Sequence, residues 1–410
     1  MARTAEHVSE REVIFLVGLA QFVNILDFMI VLPLGPDYAR ELAIDPAHLG
    51  IVGGAYTAAA AVGGVLAARV LDRFDRRVAL AGTMFGLVVA TVAAGFATSL
   101  ATLLAARVVA GAFGGPATAV GLSVVTDLVP AERRGKALGA VMGAFSVASV
   151  VGVPFGLAIG SRFGWRMPLY VVAALGIVVL AGVIARLPSL RAHLAEARGA
   201  VRPLTLLRQP GTWLAVLATS SISLGAFAII PNVSAYVQAN CGLPREELPL
   251  LYFAGGVPTF FTLRIAGRLA DTYGSPRVAL AGTALFVAIV VLGFSSGRSL
   301  VPPIVVFVFM MSAQSTRNVA SQTLTSRIPA PHERAGFQSL QSSVQHLGAA
   351  VGAAVGSVFL STAPSGELLG MPALAAFAIA VSLPLPLVTS RLAAVLAARA
   401  TAPATIANAA

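Results

Sequence analysis

The amino-acid sequence predicts an all-α membrane protein, with twelve transmembrane helices in two pseudo-symmetric six-helix bundles. Three observations lead there. Charged residues make up only 11% of the 410 and hydrophobic ones 57%, whereas a water-facing domain carries about 25% charged residues. A helix needs about 20 apolar residues to cross the hydrocarbon layer, and such runs fall at 13–34, 48–70, 78–97, 102–125, 136–160, 167–186, 212–237, 247–270, 277–295, 300–322, 335–361 and 371–392. The segment Arg77–Thr83 also recurs unchanged as Arg277–Thr283.

The repeat extends beyond that segment. Each copy follows an acidic residue in a short loop, Asp72 in the first half and Asp271 in the second. Pro130–Gly135 is echoed in register by Pro331–Gly336. The fifth run carries Gly152, Gly156 and Gly160, and the eleventh Gly348, Gly352 and Gly356. Both are small-xxx-small faces that let helices approach closely. The chain therefore divides into an N-terminal bundle, 1–186, a polar linker, 187–211, and a C-terminal bundle, 212–410. Parallel duplication of this kind is the plan of secondary transporters whose halves rock around a midplane site.

Net charge is +11. The basic residues lie in short loops between apolar runs, so topology accounts for them and nucleic acid is not an expected partner. One side of the predicted membrane collects Arg69, Arg73, Arg76, Arg77, Arg133, Arg134, Lys136, Arg268, Arg277, Arg327 and Arg334; the other holds Arg40, Arg162, Arg166, Arg245 and Arg298. Basic loops stay inside, which puts both termini in the cytoplasm. Arginine so far outnumbers lysine that a GC-rich bacterial genome is suggested, and with it the bacterial inner (cytoplasmic) membrane. The first run has no A-x-A-like cleavage site after it and reads as a retained helix. The single cysteine, Cys241, excludes an intrachain disulfide and a multi-cysteine metal site.

Several motifs sharpen the expectation. The loop Asp72-Arg73-Phe74-Asp75-Arg76-Arg77 resembles the G-x-x-x-D-R-x-G-R-R signature of the major facilitator superfamily, with Ala68 and Asp75 where glycines are usual. The second copy keeps Gly267, Asp271 and Gly274 but not the arginine pair. Gly152-Val153-Pro154-Phe155-Gly156 is similar to the proline–glycine motif of that family's antiporters. Gly164-Trp165-Arg166 and Asn24-Ile25-Leu26-Asp27 look like its twelve-helix drug and sugar efflux branch. The resemblance covers the whole chain. It implies the major facilitator fold, a cavity lined by the first, fourth, seventh and tenth helices, proton-coupled efflux, and a monomer among membrane lipids carrying a small-molecule substrate.

Ionisable groups inside a membrane span are costly and mark functional candidates. Asp27 lies about 21 Å along its helix at 1.5 Å per residue, with Gln21 and Asn24 on the same face. A carboxyl in a low-dielectric cavity exchanges a proton near neutral pH. Arg107, the arginine the family carries on its fourth helix, enters at a matching depth. Asp27 and Arg107 are thus the proton-coupling candidates. A permanent structural pair, or an interfacial arginine snorkelling outward, is the other reading. In the second half Gln314, Arg317, Gln345 and His346, with Asn232 beside Pro231, form a candidate substrate site for an anionic or hydroxyl-bearing group. An inter-half gate is the equal alternative. Asp72, Arg73, Arg76, Asp127, Arg264 and Asp271 are expected to latch the cytoplasmic side, Asp127 with Arg133 or Arg134. Gly152, Pro154 and Gly156 are expected at a helix gate. Absence of a His or Cys cluster, a Walker loop and a nucleophile motif argues against an enzyme and against any cofactor other than a coupling proton. A uniporter, importer or lipid flippase of the same fold remains the alternative.

Overall fold

The computed structural model describes residues 9–191, 206, 207, 209, 211–329 and 333–401. Most of the expected linker, including His193, Glu196, Arg198, Arg202 and Arg208, lies outside the described residues.

The first half comprises α1 (Glu10–Val31), α2 (Leu49–Val70), α3 (Arg76–Gly95), α4 (Leu100–Leu128), α5, which runs as Ala131–Met142, Ala144–Val147, a π turn at Ala148–Gly152 and Val153–Phe163, and α6 (Arg166–Arg186). The second half repeats the plan. Its α7 is Thr212–Ile229, a 3₁₀ turn at Ile230–Asn232 and Val233–Ala239, followed by α8 (Leu248–Tyr273), α9 (Ser275–Phe294), α10 (Pro303–Thr325), α11 (Arg334–Phe359) and α12 (Met371–Ser382 with Leu385–Thr401). A short helix, Gly35–Glu41, follows α1, and a two-stranded hairpin, Ser361–Thr362 with Leu368–Leu369, joins α11 to α12.

Local chemistry sets several helix starts. Ser9 accepts the Glu12 amide and begins α1. Ser99 and Thr102 form a reciprocal capping box at α4. Asp75 caps α3 through the Arg77 amide at 2.8 Å. Pro231 has no amide hydrogen to give, and α7 turns 3₁₀ there.

Among the described residues, ten helical stretches are long and apolar enough to cross a membrane by length and composition. The remaining two long helices are Pro303–Thr325 and Arg334–Phe359. The polar residues Ser312 to Gln322 and Gln338 to His346 lower their hydropathy, so those spans depend on protein neighbours instead of lipid. Large apolar side chains face outward elsewhere, among them Phe85, Phe155, Val178, Phe261 and Val358. A belt of that kind suits hydrocarbon and would not be tolerated in water.

Within the halves α2 and α3 pack on α4, α7 on α11, and α8 and α9 on α10. The halves meet where α2 crosses α11 and α5 crosses α8. Both crossings lie toward the face remote from the chain ends. A Cβ on Gly50 would sit 2.4 Å from the Ala353 carbonyl oxygen, and one on Gly256 2.9 Å from that of Ser149. Nearer the chain ends Val62 and Leu66 of α2 and Gln338, Gln345 and Leu347 of α11 are exposed. At the remote face Arg245 grips Asp37 at 2.6 Å and Thr362 donates to Asp45 at 2.5 Å, both across the halves.

Candidate functional site

Gln21, Asn24 and Asp27 succeed one another along α1 and all three are buried. The Gln21 amide donates to the Thr118 carbonyl at 3.0 Å. Asn24 donates to the Gly114 carbonyl and to the Thr118 hydroxyl, each at 2.8 Å. Asp27 accepts the Thr91 hydroxyl of α3 at 2.8 Å on one oxygen and Arg107 Nη1 at 3.0 Å on the other. Neither Asp27 nor Arg107 has any accessible surface. The two residues named for proton coupling are thus brought together, in the interior of the first half.

Tyr56 of α2 completes the group. Its hydroxyl donates to Asn24 Oδ1 at 2.9 Å, and its ring lies 4.7 Å from the Arg107 guanidinium carbon. Gly111 and Gly114 of α4 make room for this contact. A Cβ on Gly111 would come within 2.1 Å of the Tyr56 carbonyl oxygen, and one on Gly114 within 2.2 Å of its hydroxyl. Sequence reasoning missed Tyr56, Thr91 and Thr118. The spacing of Arg107, Gly111, Gly114 and Thr118 along one helix face was the available signal.

The second half is arranged differently from expectation. Arg317 is fully buried, yet its guanidinium points to α9 and α12. It donates to Ser382 Oγ at 2.9 Å and to Gln314 Oε1 at 3.4 Å, and lies 4.3 Å over the Phe286 ring. Among the described residues it has no carboxylate partner, and its Nε is unpaired. Gln345 is exposed and His346 partly buried on α11; no hydrogen bond joins either to Arg317 among the described residues. Asn232 is buried, donates to the Ala228 carbonyl at 3.3 Å, and leaves its own oxygen without a donor.

Of the latch candidates, Asp127 pairs with Arg76 at 3.2 Å. The partners expected for it are engaged elsewhere, Arg133 with Glu10 and Arg134 with the Val129 carbonyl. Arg73 and Asp271 are exposed, and Arg264 lies over Phe260. Arg264 and Asp271 stand two helical turns apart, about 10 Å, and form no ion pair with each other. The side chain of Asp72 lies outside the described residues. Gly152 and Gly156 seat Leu26 and Ile30 of α1, with Pro154 between them just past the π turn.

Two further clamps were not foreseen. Gly164 adopts φ +86°, which turns the chain so that Trp165 donates to Glu41 at 2.6 Å and Arg166 pairs with the same carboxylate. Asp75 collects the Ser189 hydroxyl, the Leu190 amide at 3.1 Å and Arg191 at 3.3 Å, besides its own cap. Burial works against its charge, but these donors outweigh it and hold the carboxyl at about 2. An unperturbed aspartate titrates near 3.9. The anchor is therefore fully present above about pH 4 and is lost as pH falls toward 2. Asp75→Ala should release this stretch at neutral pH, seen as faster tryptic cleavage at Arg191; unchanged cleavage would mean the anchor holds nothing.

The Major Facilitator Superfamily model matches residues 17–232 and again 215–408. A chloramphenicol resistance protein of Streptomyces lividans is 29% identical over 331 residues, 80% of this chain and 83% of that one. The purine ribonucleoside efflux pump NepI of Escherichia coli K12 is 27% identical over 265 residues, 62% of this chain and 65% of that one. The fold matches the nucleoside transporter NupG with a TM-score of 0.73 at 12% identity, covering 93% of this chain and 99% of that one. It matches a bacterial homologue of the lysosomal transporter Spinster, in an inward-facing and occupied conformation, at 0.68 and 19%, covering 94% and 96%. Two related bundles joined at one face, each recognised separately by the same family model, establish that this chain is a transporter of the major facilitator superfamily.

Proposed function

We propose that the protein exports a small neutral solute across the bacterial inner membrane in exchange for protons, by alternating access, with both termini in the cytoplasm. The Asp27–Arg107 pair, sealed inside α1 and α4 next to a polar face, is the observation that carries this reading. While paired, Asp27 stays charged; once Arg107 is drawn away, the carboxyl favours its neutral form and takes a proton. The halves are packed at the face remote from the termini, so this conformation is read as open to the cytoplasm, ready to load.

Charge supports a neutral cargo. The two carboxylates on α1 and α4 beyond the first turn, Asp27 and Asp127, are each taken by an arginine. Neither is free to receive a cation. Neutral hydrogen-bonding groups remain partly accessible, namely Thr118, Gln314, Asn318, Gln345 and His346. Relatives named for chloramphenicol and for purine ribonucleosides fit that chemistry.

Proteoliposomes with an imposed pH gradient test the proposal. The gradient should drive uphill movement of chloramphenicol or adenosine and leave a permanently cationic dye behind. Asp27→Asn should abolish gradient-driven accumulation while exchange of labelled for unlabelled solute persists. Equal accumulation by the variant and the wild type would sink the coupling role. The second reading, a uniporter, is favoured by the complete occlusion of Asp27, and predicts exchange with no response to the gradient in either form.

A further inference from the structure

The sealed ion pair is connected to the junction between the halves by aromatic rings. Phe28 directly follows Asp27 on α1. Its ring lies 5.0 Å from that of Tyr56 and 6.0 Å from that of Phe227. Phe227 belongs to α7, in the other half. Tyr56 in turn supports the Arg107 guanidinium and is tied to Asn24. Its backbone is pressed onto Gly111 and its ring onto Gly114. Phe28 therefore links the confined Tyr56 ring to Phe227 across the halves.

The surroundings of the pair are few. Arg107 faces Asp27 from α4, and Tyr56 of α2 lies against the guanidinium with its hydroxyl on Asn24. Tyr38, on the short helix after α1, is buried within electrostatic reach of Arg107. Thr91 of α3 donates to Asp27 and does not titrate. α5 and α6 meet α1 through Gly152, Gly156 and Gly176.

We propose that Tyr56 is the positioning residue that couples the protonation of Asp27 to the separation of the halves. With Phe227 packed on Phe28, Tyr56 stays beneath Arg107 and keeps the guanidinium on the carboxylate. When the halves part at the remote face, Phe28 and Tyr56 are released, Arg107 loses its seat, and Asp27 accepts one proton. The two packings of the halves supply the bistable element such coupling requires. The inference rests on the proton-coupled reading given above.

The test needs no substrate. In a Cys241→Ser background, spin labels are placed at Ala101→Cys and Leu300→Cys, exposed positions in opposite halves at the remote face. The label separation is then followed against pH. The wild type should switch between two distances with a defined midpoint, and Asp27→Asn should remove the switch. Tyr56→Leu should move the midpoint upward by about one pH unit or more, because a carboxyl less firmly held by its cation takes a proton more readily. Tyr56→Phe, which keeps the ring, should move it little. Phe227→Leu, remote from the charges, should shift it in the same direction as Tyr56→Leu, and serves where the latter fails to fold. A wild type without a switch, or a switch surviving in Asp27→Asn, overturns the proton-coupled reading and this inference with it. An intact wild-type switch whose midpoint neither Tyr56→Leu nor Phe227→Leu moves overturns the inference alone.

Discussion

Arg107→Ala should destabilise the protein by about 3–5 kcal/mol, the usual cost of breaking a buried ion pair by removing one partner. Asp27→Ala should do the same. Both side chains are fully buried at 3.0 Å from each other, so either single change leaves the remaining group in low dielectric without its partner. Asp27 would keep the Thr91 hydroxyl. Arg107 would keep the Tyr56 ring and the Asp27 backbone oxygen at 3.4 Å. Replacing both residues by alanine removes both charges and should cost well under the sum, since no uncompensated charge is then left buried. Thermal unfolding of the purified protein in detergent reads all four corners of this cycle. Simple additivity would mean the two groups do not sense each other, contrary to the geometry.

Gly50→Val should all but eliminate the conformation seen here. The added Cβ would lie 2.4 Å from the Ala353 carbonyl oxygen, and a backbone oxygen on a packed helix has nowhere to retreat. Gly54 is next along the same face, with its Cβ position 3.2 Å from that of Ala353. Overpacking costs about 1–3 kcal/mol, and 1.4 kcal/mol is a factor of ten. The ratio of the conformation closed at the remote face to its alternative should thus fall by about five- to 150-fold, with a loss of turnover. Arg245→Gln should act in the same direction, because it removes the ion pair with Asp37 that ties the halves at this face. Distances across the remote face, measured by spin labels, separate the two. A valine variant with wild-type distances would show that α2 and α11 do not govern closure.

Much of this architecture could be read from residues alone. The charge deficit and the recurring Arg77–Thr83 segment give the two bundles without any coordinates. Depth counting brought Asp27 and Arg107 together because both are rare, expensive groups at countable positions in rigid helices. Tyr56, Thr91 and Thr118 escaped because such residues are ordinary in a span and acquire meaning only from what packs against them. Arg317 shows the complementary difficulty. Its depth was legible, but the rotation of α10 that aims it at Ser382 and Phe286 is set by neighbours more than 30 residues away in the sequence. Asp75 was visible as a departure from a glycine, and its task as an anchor emerged only with Ser189, Leu190 and Arg191 around it.

The lone guanidinium of Arg317 also has an electrical consequence. The charges of Asp27 and Arg107 cancel, whereas Arg317 has no carboxylate partner among the described residues. A full elementary charge crossing the bilayer exchanges about 2.3 kcal/mol with each 100 mV of membrane potential. A rocking second half would carry Arg317 through some fraction of that field. An energised membrane should therefore pull on a second half that rocks, and the balance between conformations in a living cell should differ from that in detergent.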